Sequence, residues 1–64
     1  MTDNTLEHND TIMVYVNDQL TSYMSVSSYA AINHIDKTTL RAELRRNKLV
    51  IHGANRLIPG IYFR

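Results

Sequence analysis

The stretch SYAAINHIDKTTLRAELRRNKL, residues 28–49, restricts the fold most, because it carries start and stop signals for two short helices. Ser27 predicts the N-cap of a first helix over residues 28–33, since its hydroxyl can accept a hydrogen bond from a free backbone N–H of the first turn. Asp36 predicts the N-cap of a second helix over residues 37–46. We therefore expect two short helices joined by a tight turn.

Two sides of the second helix differ in chemistry. Leu40 and Leu44 stand four residues apart and predict a buried stripe. Lys37, Arg41 and Arg45 also stand four residues apart, on a row rotated by about 100° from the leucines. The leucines are expected to hold the helix on the core and to leave the cationic row in solvent.

Strand signals flank the helical pair on both sides. Residues 11–16, TIMVYV, alternate with a period of two and predict a strand, and residues 20–26 can return from a turn at Asn17 and Asp18. A second hairpin is expected after the helices, with strands over residues 49–51 and 56–58. Its turn contains Gly53 and Asn55, which tolerate a positive φ.

Charge is distributed unevenly along the chain. Residues 1–36 contain five acidic residues and no lysine or arginine, whereas residues 37–64 contain all seven basic residues and one acid. The two parts carry about −5 and +6, although the formal net charge is only +1. Such an asymmetry is typical of a surface that binds a polyanion.

Length and residue inventory exclude several classes of protein. The 64 residues predict one domain over residues 11–64, preceded by a disordered acidic tail over residues 1–10. Cysteine is absent, the three histidines are far apart, and no glycine-rich phosphate loop is present. We therefore expect no enzyme, no metal and no cofactor. The chain has no apolar run long enough for a membrane span and no secretory signal at its start, which predicts a cytoplasmic protein.

The order of these elements suggests a function in DNA binding. A first helix can brace a second, cationic helix so that it enters a major groove, where basic residues neutralise phosphates and arginine can bind guanine. The pieces SVSSYAAI, DKTTLRAELRRNKL and VIHGANRLIP, over roughly residues 24–60, resemble the winged helix-turn-helix of excisionase and AlpA-type proteins of phages and mobile elements, which is related in design to the MerR-type domain.

This resemblance implies an α+β fold: a small winged helix-turn-helix with two short helices, a C-terminal β-hairpin wing and an N-terminal strand or hairpin. It implies sequence-specific binding of double-stranded DNA by a homodimer or a cooperative oligomer. The role implied is that of a transcriptional repressor or an excisionase-like directionality factor, with a recombinase as a possible protein partner. The resemblance implies that three groups of residues contact DNA. The recognition helix contributes Lys37, Thr38, Arg41 and Arg45, and the wing contributes His52, Asn55 and Arg56. The residues implied to contact the DNA backbone are Arg46 and Lys48.

Two alternatives stay open at this point. A ribbon-helix-helix dimer would place Met13, Tyr15 and Asn17 in the major groove, although the first half of the chain lacks the cations that such a strand should carry. A small inhibitor that acts by protein–protein contact would use the acidic half of the chain as well as the basic half.

Overall fold

The computed structural model describes residues 10–64, so the acidic tail predicted for residues 1–10 lies outside the described residues except for Asp10. Six elements follow one another along the chain. They are β1 (Thr11–Val16), β2 (Gln19–Ser25), α1 (Val26–Asn33), α2 (Lys37–Asn47), β3 (Val50–His52) and β4 (Asn55–Pro59). All the strands and both helices expected from the sequence are present, with ends that move by one or two residues. None of the helices within residues 10–64 is both long and apolar enough to cross a membrane.

The strands form one antiparallel sheet in the order β2-β1-β4-β3. The sequence predicted a C-terminal hairpin wing and an N-terminal strand or hairpin, and the structure corrects this layout by joining both hairpins in a single sheet. The two hairpins are joined through β1 and β4, where Val14 lies opposite Leu57. Both side chains are buried, and the pairing of the two strands removes them together from water.

Tight turns fix the register of both hairpins. Asn17 and Asp18 have φ angles of 54° and 65°, as a two-residue type I′ turn requires. In the second hairpin Gly53 has a φ of 61°, whereas Asn55, expected in that turn, is the first residue of β4. The first hairpin also contains a bulge at Thr21, whose hydroxyl donates a hydrogen bond to the carbonyl of Val14 at 3.0 Å.

The first helix begins earlier than the sequence indicated. Its N-cap is Ser25 rather than Ser27, and the Ser25 hydroxyl accepts a hydrogen bond from the backbone N–H of Ser28 at 3.0 Å. The backbone N–H of Val26 donates to the carbonyl of Asp10 at 2.9 Å, which ties the start of α1 to the start of β1. At the other end His34 adopts the left-handed conformation, with a φ of 58°.

The second helix follows its prediction closely. Asp36 caps it by accepting a hydrogen bond from the backbone N–H of Thr39 at 2.9 Å. Lys48 ends it in the left-handed conformation, so the helix runs one residue further than expected. Leu40 and Leu44 are buried as predicted. The turn between α1 and α2 places Ile35 against the core.

Both helices pack on one face of the sheet, and the core lies between the two layers. The buried core residues are Ile12, Val14, Val26, Tyr29, Ala30, Leu40, Leu44 and Leu57. Cross-strand partners share a face, so Met13, Tyr15 and their partners project from the opposite side of the sheet, which no helix of the described residues covers. We call that side the open face.

Candidate nucleic-acid interface

The exposed side of α2 is cationic. Seven of its residues are exposed, of which three are basic and none is acidic. They are Lys37, Thr38, Thr39, Ala42, Arg45, Arg46 and Asn47. Because the helix advances by about 100° per residue, Thr38, Ala42, Arg45 and Arg46 point away from Leu40 and Leu44 and form its outermost ridge.

Arg41 does not project freely from this helix. Its guanidinium forms an ion pair with the carboxylate of Asp10, and the two side chains are only 30% and 19% exposed. Asp10 is held in place because its carbonyl accepts the backbone N–H of Val26 at the start of α1. The guanidinium that the sequence assigned to the DNA groove therefore already has an acidic partner within its own chain.

A groove with cationic walls adjoins the C-terminal end of α2. It has a volume of about 350 Å³ and lies between the end of the helix and the segment that follows β4. Arg45, Lys48 and Arg64 line it together with apolar residues such as Pro59 and Phe63. Sequence reasoning missed Arg64, because only the return of the chain after Pro59 brings it near Arg45.

Two of the predicted wing residues bind a buried tyrosine instead of pointing outward. The hydroxyl of Tyr29 accepts a hydrogen bond from Nδ2 of Asn55 at 2.8 Å and lies 2.8 Å from Nδ1 of His52, to which it can donate its proton. The Tyr29 and His52 rings meet edge to face, with 5.6 Å between their centroids. We call these three residues the hydroxyl triad; it attaches the turn end of the β3–β4 hairpin to α1.

Arg56, the third predicted wing residue, lies on the open face. It stands opposite Tyr15 on β1 and Ile51 on β3. Its guanidinium is 3.5 Å from the carboxylate of Asp18, in the turn of the first hairpin. The antiparallel pairing of β1 with β4 brings the two hairpin turns to the same end of the sheet, so an acidic side chain stands beside the predicted wing.

The N-terminus of α2 carries a fixed negative charge. Thr39 donates to the Asp36 carboxylate through its backbone N–H and through its hydroxyl, and these two hydrogen bonds lower the pKa of Asp36 below its usual value. Asp36 therefore stays ionised, and its negative charge interacts favourably with the positive end of the helix dipole. The α2 cations furthest from this fixed charge are Arg45, Arg46 and Lys48, at and just beyond the other end of the helix.

The predicted contacts thus separate into two groups. Lys37, Thr38, Arg45, Arg46 and Lys48 are all exposed on α2 or immediately after it. Arg41, His52, Asn55 and Arg56 each have a partner within the chain.

The ribbon-helix-helix alternative requires a strand whose edge is free to pair with a second copy. Here β1 pairs with β2 on one edge and with β4 on the other, so it has no free edge. Among residues 10–64, histidine, aspartate and glutamate side chains nowhere form a group of three that could hold a metal ion.

Protein-family models, curated proteins and solved structures were compared with this chain, and none of them matches it.

Proposed function

We propose that this protein binds double-stranded DNA by placing the exposed side of α2 in a major groove, while α1 braces α2 from behind. The observation that carries the proposal is the composition of that side: three cations, no acid, and no covering element from the described residues. A helix so presented matches the dimensions of the major groove, and its cations can replace condensed counterions on the phosphates.

Roles follow from position on the helix. Thr38, Ala42 and Arg45 lie on the outermost ridge and are the residues proposed to meet base edges. A threonine can hydrogen-bond a base, an alanine methyl can contact the methyl of thymine, and an arginine can bind guanine through two acceptors. Arg46 and Lys48 are proposed to hold phosphates, which fixes the register of the helix without reading sequence.

The proposed interface differs from the one that the sequence indicated. Arg41 stays with Asp10, whose carboxylate would be left half-buried and unpaired if the guanidinium turned to DNA. His52 and Asn55 stay in the hydroxyl triad. The proposed contact surface is therefore α2 and the cationic groove rather than the tip of a wing.

The biological role proposed is that of a small cytoplasmic regulator of a phage or mobile element, as a repressor or an excisionase-like factor. A single module of this kind buries only about 600–1,000 Å² on DNA and binds weakly alone. Stable occupation of a site then requires a second copy or neighbouring copies on the same DNA.

Titration onto duplex DNA at several salt concentrations tests the proposal. The exposed cations of the interface are Lys37, Arg45, Arg46 and Lys48, with Arg64 on the groove wall. Four to five neutralised phosphates predict a slope of about −3.6 to −4.5 for the logarithm of the binding constant against that of the salt concentration. An absence of binding at low salt would contradict the proposal. Selection of bound sequences from random duplexes would then identify the site.

A matched pair of arginine variants locates the interface. Arg45→Ala removes a cation from the ridge of α2, and we expect weaker binding and a slope smaller by about 0.9. Arg56→Ala removes the same charge from the open face, and we expect little change in either quantity. If Arg56→Ala had the larger effect, DNA would bind at the β3–β4 hairpin, and the assignment to α2 would be wrong.

One observation favours the second candidate function, inhibition of another protein by direct contact. The open face carries exposed apolar side chains that duplex DNA does not require, Tyr23 and Ile51 among them. A protein that captures no duplex at low salt, yet keeps this face accessible, would fit an inhibitor better than a regulator.

A further inference from the structure

The open face of the sheet is apolar almost throughout. Met13 stands at its centre between Tyr23 on β2 and Ile58 on β4, and Tyr15 stands opposite Leu20. The segment after β4 extends the same surface, because Ile61 and Tyr62 adjoin Met13 and Tyr23 around a cavity of about 200 Å³. Four of its large apolar residues are more than 60% exposed, namely Tyr23, Ile51, Ile61 and Tyr62.

Charge on this face is balanced within the chain. Arg56 is the cation that the described strands place there, and its partner is Asp18 at the rim. A surface that pairs with an identical copy must not repel itself, and a two-fold interface brings each residue against the same patch of the partner. An apolar face with one internally balanced ion pair meets that condition, whereas the cationic side of α2 does not.

The size of the face suits a weak dimer. With about 150–200 Å² for each fully exposed large side chain, its five most exposed apolar residues offer on the order of 500–650 Å² per subunit. Two such faces bury on the order of 1,000–1,300 Å², which reaches the lower limit for a specific interface but not the standard size of about 1,600 Å².

We infer that a second copy of this chain docks on the open face, sheet against sheet, and forms a reversible homodimer with a dissociation constant in the micromolar range. The inner layer of the dimer would then contain Met13, Tyr15, Tyr23, Ile51 and Ile58 from each subunit, with Leu20, Ile61 and Tyr62 around them. Such packing completes the burial of a sheet that otherwise has a helical layer on one side only.

The dimer itself does not depend on the proposed function. Its consequence for DNA binding, however, rests on that function. The helices lie on the far side of each sheet, so the two copies of α2 face in opposite directions. The ridge around Ala42 in one subunit therefore cannot share a duplex face with the ridge of its partner. A dimer of this kind holds two separate duplex segments rather than two half-sites one helical turn apart.

Sedimentation equilibrium over a concentration series tests the dimer without DNA, and the chain offers a matched pair of variants. Ile51, on the open face, and Ile32, on α1, are 65% and 67% exposed. Ile51→Glu places a carboxylate opposite Arg56. The monomer tolerates this carboxylate because it stays in solvent, whereas the dimer would bury it. We expect it to raise the dimer dissociation constant at least about 10-fold, and Ile32→Glu to leave it unchanged. Tyr23→Glu repeats the test on β2 if Ile51→Glu lowers the stability of the monomer.

Three results would overturn the inference: a wild-type chain that stays monomeric throughout the series, a dimer that survives both Ile51→Glu and Tyr23→Glu, or a dimer that only Ile32→Glu disrupts.

A second measurement tests how the two subunits are oriented in the dimer. Wild-type protein should retain a labelled duplex on an immobilised duplex, and Ile51→Glu should not. A dimer that binds DNA without this bridging would contradict the sheet-to-sheet geometry. Failure to bind any duplex would instead contradict the proposed function and leave the dimer result standing.

Discussion

Replacing Tyr29 with phenylalanine removes one oxygen atom and, with it, the centre of the hydroxyl triad. The ring itself is 2% exposed and packs in the core, so phenylalanine keeps the apolar contacts. The change leaves Nδ1 of His52 and Nδ2 of Asn55 without the partner that each now has at 2.8 Å. The link between α1 and the β3–β4 hairpin is thereby reduced to packing.

The expected cost follows from the environment of those two atoms. A fully buried polar group that loses its partner costs about 1–3 kcal/mol. Both His52 and Asn55 are half-buried, so water can replace part of each hydrogen bond. We therefore expect Tyr29→Phe to lower the free energy of unfolding by about 1–2 kcal/mol in total, which in a domain of this size lowers the melting temperature by about 4–16 °C.

Thermal unfolding followed by circular dichroism measures this loss, and amide hydrogen exchange locates it. Exchange should accelerate first at the backbone amides of β3 and β4. Tyr23→Phe is the matched control, because Tyr23 is 64% exposed on the open face and its hydroxyl lies outside the triad. A change within about 0.5 kcal/mol is expected for this control.

Equal melting temperatures for Tyr29→Phe and the wild-type chain would contradict this prediction, since the triad would then contribute nothing to stability. Equal losses for both tyrosine variants would also refute it, because the effect would not depend on the triad. If the triad is absent, the His52 and Asn55 side chains are free, and their predicted role as DNA contacts at the hairpin returns.

Three further predictions concern stability and are measured by the same melting experiments. Leu44→Ala empties a fully buried site and should cost about 2–5 kcal/mol, enough to leave the domain largely unfolded; a folded variant would contradict the assigned core. Gly60→Ala should cost about 1–3 kcal/mol, because a Cβ there would lie 2.9 Å from the carbonyl oxygen of Thr11; an unchanged melting temperature would contradict that close approach. Asp36→Asn keeps a capping side chain but does not titrate. Since the folded pKa of Asp36 is lowered, its contribution is full above the unfolded value of 3.8 and is lost as the pH falls through the folded value. The wild-type chain should therefore lose more stability than Asp36→Asn below about pH 4, and parallel pH profiles would contradict the cap.

Elements whose signals lie within a few residues could be predicted from the sequence. Asp36 caps α2 as expected because its acceptor meets an N–H only three residues away. Asn17 and Asp18 form the expected turn because both residue types tolerate a positive φ. The N-cap of α1 was predicted two residues too late, because Ser25 and Ser27 are equally good caps by residue type. The bond from Val26 to Asp10, between distant parts of the chain, favours the earlier start.

The candidate interface was predictable only in part. The exposed side of α2 follows from the spacing of Leu40 and Leu44, because burial of one side of a helix exposes the other. The partner of Arg41 could not be predicted in this way. Asp10 reaches it only after the strands have paired and α1 has returned along the sheet.

Signals between near neighbours in the chain predict the local elements: two short helices, the cap of the second helix, two tight turns and a cationic side on that helix. Folding of the whole chain is what pairs β1 with β4, brings Tyr29 to His52 and Asn55, and leaves one face of the sheet open. The physical reason is the range of the interactions. Caps and turns are set by hydrogen bonds between near neighbours. The pairing of β1 with β4 and the bonds of Tyr29 to His52 and Asn55 instead join residues more than twenty positions apart, whose meeting depends on how the whole apolar surface is buried.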